Sequence, residues 1–229
     1  MYGQLTVSKY QIGIGAGVFV YQGDLAPQRA GSYKTLKPGV NIYLNRIINP
    51  LLSLRIQLTF GGLKGDDSKY TSPAYRRQRN FNFHSPVLEL SELIIADPLN
   101  DNMSKEFFGL SPYAFSGVGI SFLKIKRDYS RFNGEYFAGE TSTIQGLAND
   151  AQHSLPTVIP VIPVGIGVKF PLSQKILVTA ETSYRFTFTD YIDGFSKAAN
   201  PARKDSYQSY SIGVVYRFVS NNAMKCPVF

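Results

Sequence analysis

Residues 206–218 read Ser-Tyr-Gln-Ser-Tyr-Ser-Ile-Gly-Val-Val-Tyr-Arg-Phe. Strand side chains alternate between two faces. Tyr210, Ile212, Val214, Tyr216 and Phe218 therefore share one face, and Ser209, Ser211, Gly213, Val215 and Arg217 the other. The first face is apolar from end to end, aromatic at both ends and aliphatic between, which is how a lipid-facing strand meets two membrane interfaces. Tyr210 and Phe218 would lie about 27 Å apart along such a strand. At a tilt of about 40° that is roughly 20 Å along the membrane normal. The pattern predicts one strand of a transmembrane β-barrel.

Seven more segments carry the same alternation: residues 10–21, 39–46, 52–60, 86–96, 112–123, 161–170 and 176–188. The clearest is 52–60, with Leu52, Leu54, Ile56, Leu58 and Phe60 on one face and Ser53, Arg55, Gln57 and Thr59 on the other. In 10–21, Gly13, Gly15 and Gly17 fall inside and leave room in a narrow lumen, while Val18 and Val20 fall outside. Segment 86–96 has tolerable helix formers as well. It is read as a strand because a barrel of neighbouring antiparallel strands closes on an even number. Pro163 costs a ladder bond, which argues for a later start to its strand. The expected fold is an all-β, eight-stranded antiparallel outer-membrane barrel over residues 1–218, with a tail at 219–229.

Alternate connections are long, whereas those near 47–51 and 171–175 are short and 97–111 is intermediate. Outer-membrane barrels have long extracellular loops and short periplasmic turns, so both termini are expected in the periplasm. Residues 1–9 hold no apolar signal core, and the reading adopted is that a signal has been removed. No apolar run reaches the roughly 20 residues of a spanning helix; the nearest, 155–168, is broken by Pro156, Pro160 and Pro163. A soluble β-sandwich is the distant alternative.

The inward set includes Arg55, Glu89, Lys169, Glu181, Arg185 and Arg217. An eight-stranded barrel is just filled by side chains, and buried charges must pair. These six are expected to form an ion-pair network that plugs the lumen, so neither an open pore nor catalysis is expected. The only histidines, His84 and His153, lie near strand boundaries without a nucleophile pattern. Asp66-Asp67 and the acidic residues at 190–193 read as turn residues rather than metal ligands, and no cofactor is implied. The net charge of +8 comes mainly from irregular segments and no nucleic-acid motif accompanies it. On a barrel, Arg76, Arg77, Arg79, Lys126 and Arg127 would face lipopolysaccharide; ordinary solvated loop charge is the plainer account. The single cysteine, Cys226, excludes an internal disulfide and offers a thiol for an intermolecular one.

Two resemblances follow. Gly213, Tyr216 and Phe218 are similar to the C-terminal signal read by the bacterial barrel-insertion machinery. The order of Tyr21-Gln22-Gly23-Asp24-Leu25, Leu36-Lys37-Pro38-Gly39, Asn49-Pro50-Leu51-Leu52-Ser53-Leu54-Arg55, Gly62-Leu63-Lys64-Gly65-Asp66-Asp67, Arg79-Asn80-Phe81 with Leu88-Glu89-Leu90, and Phe186-Thr187-Phe188-Thr189-Asp190-Tyr191 resembles the PorG family. That family is the small outer-membrane barrel of the type IX secretion system of Bacteroidota. The resemblance implies a non-enzymatic component that helps tie a periplasmic ring, the lipoprotein PorK with PorN, to the outer membrane. Cys226, Asp97, Asp101, Lys105 and Asn49 are then the candidate contacts at the periplasmic face. The alternative is a generic small barrel that binds lipopolysaccharide or acts as an adhesin through its basic loops.

Overall fold

The computed structural model describes residues 6–28, 30–99, 102, 109–200 and 204–220, side chains at 6–8, 219 and 220 aside. Among the described residues, nine strands occur in chain order: β1 (Thr6–Gln22), β2 (Lys37–Ile47), β3 (Leu52–Asp66), β4 (Asn82–Ala96), β5 (Ser111–Leu123), β6 (Lys126–Asp128), β7 (Val158–Pro171), β8 (Ile176–Thr187) and β9 (Ser206–Ser220). Two helices, α1 (Tyr75–Arg79) and α2 (Thr141–Gln152), lie in the long connections. Every barrel strand pairs antiparallel with its neighbours, and β9 returns to β1 with Ile212 opposite Ala16. The sheet is thus closed by eight strands, with β6 a short addition on the edge of β4. A single closed sheet excludes the two packed sheets of a sandwich.

The barrel is inside out relative to a soluble protein. Its outer wall exposes Ile12, Ile14, Ile42, Ile56, Ile94, Val118, Ile166 and Ile212, with Ile14 at 62% and Ile212 at 67% exposure. Phe60, Phe122, Phe186 and Tyr210 fringe this band toward the long connections, and Tyr10, Phe170, Tyr216 and Phe218 toward the short turns. A closed sheet leaves no unpaired edge, so an apolar wall of this kind is stable only in lipid. The fold is that of an outer-membrane-type β-barrel.

Departures from the sequence reading are local. β3 and β4 pair for six more rungs, Gly61–Asp66 against Asn82–Val87, where the sequence reading places a loop. Glycines at 61, 62 and 65 hide the alternation there. Residues 86–96 are strand, as expected: Glu89 points inward and Leu90 meets Leu58 and Ile120 on the outside. β7 starts earlier than Pro163 suggests, at Val158. Its ladder to β5 skips the rungs opposite Ile162 and Pro163, while pairing with β8 continues through Pro163. β8 ends at Thr187, one residue short of the expected Phe188. Val20 faces outward but is fully buried, because the returning chain at Gly31 lies against it.

Candidate functional site

Among the described residues, three charged storeys stand in the lumen. Toward the long connections, Arg185 of β8 reaches Glu89 of β4 at 3.2 Å; Tyr207 donates to the same carboxylate oxygen at 2.8 Å. The Arg185 guanidinium also lies over the rings of Phe19 and Tyr207. At mid-height, Arg55 of β3 meets Glu181 of β8 at 2.6 Å, and Tyr113 donates to that carboxylate at 2.6 Å. Asn45 accepts from Arg55 Nε at 2.9 Å, and the Tyr43 ring lies 4.0 Å from the guanidinium. Tyr43 has room because its partner across the ladder is Gly13, where a Cβ would sit 2.2 Å from the ring. Toward the short turns, Lys169 of β7 pairs with Asp97, and Asn102 bridges the two.

The side chains of all six inward residues named from the sequence lie in this lumen, five of the residues buried, Arg217 included, and Glu181 intermediate with its side chain 7% exposed. Two ion pairs form among them. The partner of Lys169 is Asp97, which the sequence reading places on an exposed docking face. That assignment is corrected: Asp97 is turned into the barrel mouth, 2% exposed, where a lysine charge compensates its carboxylate. Beside the storeys, among the described residues, lies a cavity of 20 Å³ lined by Gln11, Asn45, Arg55, Asp97 and Lys169, about the size of one water. The charged side chains fill the lumen at these heights.

At the long-connection end the loops form one cap with a core of its own. Phe81 stacks on Phe195 at 4.2 Å, and Tyr21, Leu25, Leu63, Phe83 and Ile192 are buried with them. Asp67, fully buried, accepts from Arg76 and from Arg79 at 2.7 Å each. Both guanidinium groups also donate to the Asp24 carbonyl at 3.2 Å, and Arg76 to the Ala26 carbonyl at 2.7 Å. Arg76 and Arg79 are therefore not available to lipopolysaccharide, which corrects the sequence reading. A cation in a polar loop reads as solvated until its carboxylate is known. Arg127 is half-buried and donates to the carbonyls of Gly194 and Ala151. Of the five loop cations, only Arg77 and Lys126 are exposed.

Asp150 of α2 organises the last connection by accepting from the backbone N–H groups of Ser196, Lys197 and Ala198. The sequence carries no signal for this contact. Beside it, the Tyr21 hydroxyl lies 2.7 Å from Asp193 and 2.6 Å from Asp205. One hydroxyl hydrogen cannot be given in full to two carboxylates, an arrangement that favours a proton on one of them. Burial, and then the neighbouring Asp205, push Asp193 well above the usual carboxylate range; burial does the same to Asp205. His153 stacks on Tyr191 at 3.9 Å and His84 is exposed on β4. Among the described residues neither ring is hydrogen-bonded to a serine.

The short-turn end is built differently. Asn49 is exposed, and its side chain accepts from Leu51 and Leu52 N–H at 2.9 and 2.7 Å, fastening the β2–β3 turn. The turns at this end also expose Ile48, Leu51, Leu99, Leu110 and Leu172, with Leu99 at 56% and both Leu110 and Leu172 at 63%. Asp101, Lys105 and Cys226 lie outside the described residues. At the end of β9, Tyr216 and Phe218 are exposed on the lipid side and Gly213 faces the lumen, as the sequence reading places them.

The family described as "Domain of unknown function (DUF6089)" matches residues 2–218. A comparison with curated proteins finds no similar sequence. Among solved structures, the chain is similar to Ail, the attachment invasion locus protein of Yersinia pestis, in complex with the heparin analogue sucrose octasulfate. Identity is 12%, the alignment covers 91% of this chain and 97% of that one, and the TM-score is 0.47. Neisserial surface protein A is similar at 15% identity, covering 93% and 99%, with a TM-score of 0.44. OprG of Pseudomonas aeruginosa is similar at 11% identity, covering 93% and 97%, with a TM-score of 0.46. At TM-scores this low the likenesses carry no argument of their own; the barrel stands on its closed ladder and its apolar wall.

Proposed function

This chain belongs to the DUF6089 family, and we propose that it is a non-enzymatic outer-membrane component of the type IX secretion machinery, docking the periplasmic PorK/PorN ring through its short-turn end. In this reading the short turns face the periplasm, as in barrels of this kind, and both termini lie on that side. The observation that carries the docking reading is the exposed apolar rim at that end: Ile48, Leu51, Leu99, Leu110 and Leu172. Exposed apolar side chains on every turn of one end support a partner surface there. Two features support it. A lumen filled by paired charges offers neither a conduit nor a substrate pocket, as suits an anchor. Asp97 and Asn102, at the short-turn end, are held to the barrel wall at Lys169, which fixes the base of a partner surface there.

The test is recovery of this protein from native outer membranes in mild detergent without reductant, with identification of what accompanies it. PorK and PorN are expected with the wild type and are expected to fall about tenfold with Leu99→Lys combined with Leu110→Lys, a loss of apolar contact plus two buried charges. Unchanged recovery in that variant removes the rim from the reading. A shift on a non-reducing gel that Cys226→Ser abolishes would make the contact covalent. Recovery of the barrel alone, while other membrane complexes stay intact, moves the assignment to the alternative. In that alternative the barrel is a small adhesin or lipopolysaccharide binder, and the ordered cap over its long-connection end is the observation in its favour. Trimming the cap would then abolish activity.

A further inference from the structure

The extra rungs of β3 and β4 place a second feature on the outer wall, apart from the cap and the apolar rim. The outward row Val40–Phe60–Leu88–Phe122 runs across β2, β3, β4 and β5 and belongs to the aromatic fringe. Two residues further along each of β3 and β4 stand Gly62 and Pro86, directly opposite one another. Two further still, Lys64 faces His84, which in turn faces Lys126. Gly62 has no side chain and Pro86 has a short one, so the wall is indented between the aromatic row and the cationic row.

The indentation has two compartments. The lower, 370 Å³, is lined by Phe60, Gly61, Pro86, Leu88, Phe122 and Lys124. The upper, 560 Å³, takes in Lys37, Pro38, Gly62, Lys64, Asn82 and His84. They share Gly61 and Pro86 and form one groove that is apolar on the membrane side and basic at the rim. Lys124 and Lys126 stand at its edge, both exposed. The nearest carboxylates are one row further from the membrane and already bonded. Asp66 accepts from Ser68 and lies 3.7 Å from Lys64; Asp128 accepts from Ser130 and Asn82.

We propose that this groove is a binding site for the phosphorylated glucosamine head and acyl chains of lipid A. Acyl chains would lie on Phe60, Leu88 and Phe122, and phosphate on Lys37, Lys64, Lys124 and Lys126 with His84 as a further donor. Amphipathic order, apolar below and cationic above, matches a phosphorylated lipid and no soluble anion. The cations span β2 to β6, three strand spacings or about 14 Å, which is wider than one phosphodiester and suits a disaccharide head. The long-connection end faces outward in the orientation proposed above, which is the leaflet that holds lipid A. The inference rests on that orientation and not on the ring contact, so the two fail separately.

The test uses the full chain, purified and folded in detergent, titrated with lipid A, with lipid A stripped of phosphate, and with phosphatidylglycerol. Folding of each variant is checked by its heat-dependent mobility on a gel. Lys64→Gln combined with Lys126→Gln is expected to weaken lipid A binding about thirty-fold, the loss of two interfacial cations. Lys175→Gln, an exposed cation at the short-turn end and off this groove, is expected to leave it unchanged. Removing phosphate from lipid A should weaken the wild type at least as far as the double variant is weakened. Equal losses in Lys175→Gln and the double variant would reduce the effect to overall charge and overturn the site. Phosphatidylglycerol binding as tightly as lipid A would overturn the assignment to lipid A.

Discussion

Gly23 carries more of the cap than its size suggests. A Cβ there would sit 1.9 Å from both the Tyr21 hydroxyl and an Asp205 carboxylate oxygen. The hydrogen bonds joining Tyr21, Asp193 and Asp205 therefore depend on a missing side chain. Gly23→Ala should push these groups apart and cost roughly 1–3 kcal/mol, as overpacking does. It should be read out as faster chymotrypsin cleavage beside the buried Phe195, with the barrel itself intact. The same cluster makes the cap pH-dependent. Asp193 and Asp205 titrate above their unfolded values, so the folded cap holds more protons than the open one in that interval. Their contribution is fully present below the ordinary aspartate range and is lost as pH rises through the raised values. Asp24 and Asp190 face Asp205, and their charges act in the same direction. Protection of the last connection from cleavage should thus fall on going from acid toward neutral pH, and Asp193→Asn should flatten that dependence. An unchanged profile in Asp193→Asn would assign it elsewhere.

At the scale of elements, the strands were legible and the loops were not. A strand declares its inner face by period two, and charges on the inner face of a lipid-facing strand have nowhere to go but the lumen. That is why Arg55, Glu89, Glu181 and Arg185 could be placed from the sequence. Which of them pair could not be read, since Arg55 and Glu181 are 126 residues apart and meet only when the barrel closes. The failures have the same origin. Asp97 reads as a surface acid and Arg76 and Arg79 as surface cations because Lys169 and Asp67, their partners, stand on other elements. Asp67 tests this directly. Asp67→Ala leaves two buried guanidinium groups without their carboxylate, and breaking such an arrangement costs about 3–5 kcal/mol. Hydrogen exchange should show α1 and the connection at 23–28 losing protection together, because both arginines also hold the Asp24 carbonyl. Exchange confined to α1 would mean the arginines do not couple the loops.

The whole molecule is a closed wall around three charged storeys, and its mechanical character follows from them. Two storeys tie strands across the barrel, β8 to β4 through Arg185 and Glu89 and β3 to β8 through Arg55 and Glu181, and the third ties β7 to the 97–110 connection through Lys169 and Asp97. Cross-braces of this kind resist flattening of the wall and block passage at three heights. The protein reconstituted in planar bilayers should show no steady conductance. Opening one storey should not change that, because the other two still close the lumen. Glu181→Ala should instead appear in stability, about 3–5 kcal/mol lower on denaturant unfolding, since it leaves Arg55 buried beside Asn45 and the Tyr43 ring without its carboxylate. Arg55→Ala combined with Glu181→Ala should recover part of that loss, because removing both charges also removes the uncompensated one. A double variant as unstable as the sum of its single variants would mean the brace acts by packing alone. A steady open conductance in the wild type would show that the storeys part in the membrane, and the barrel would then be a channel and not the anchor proposed above.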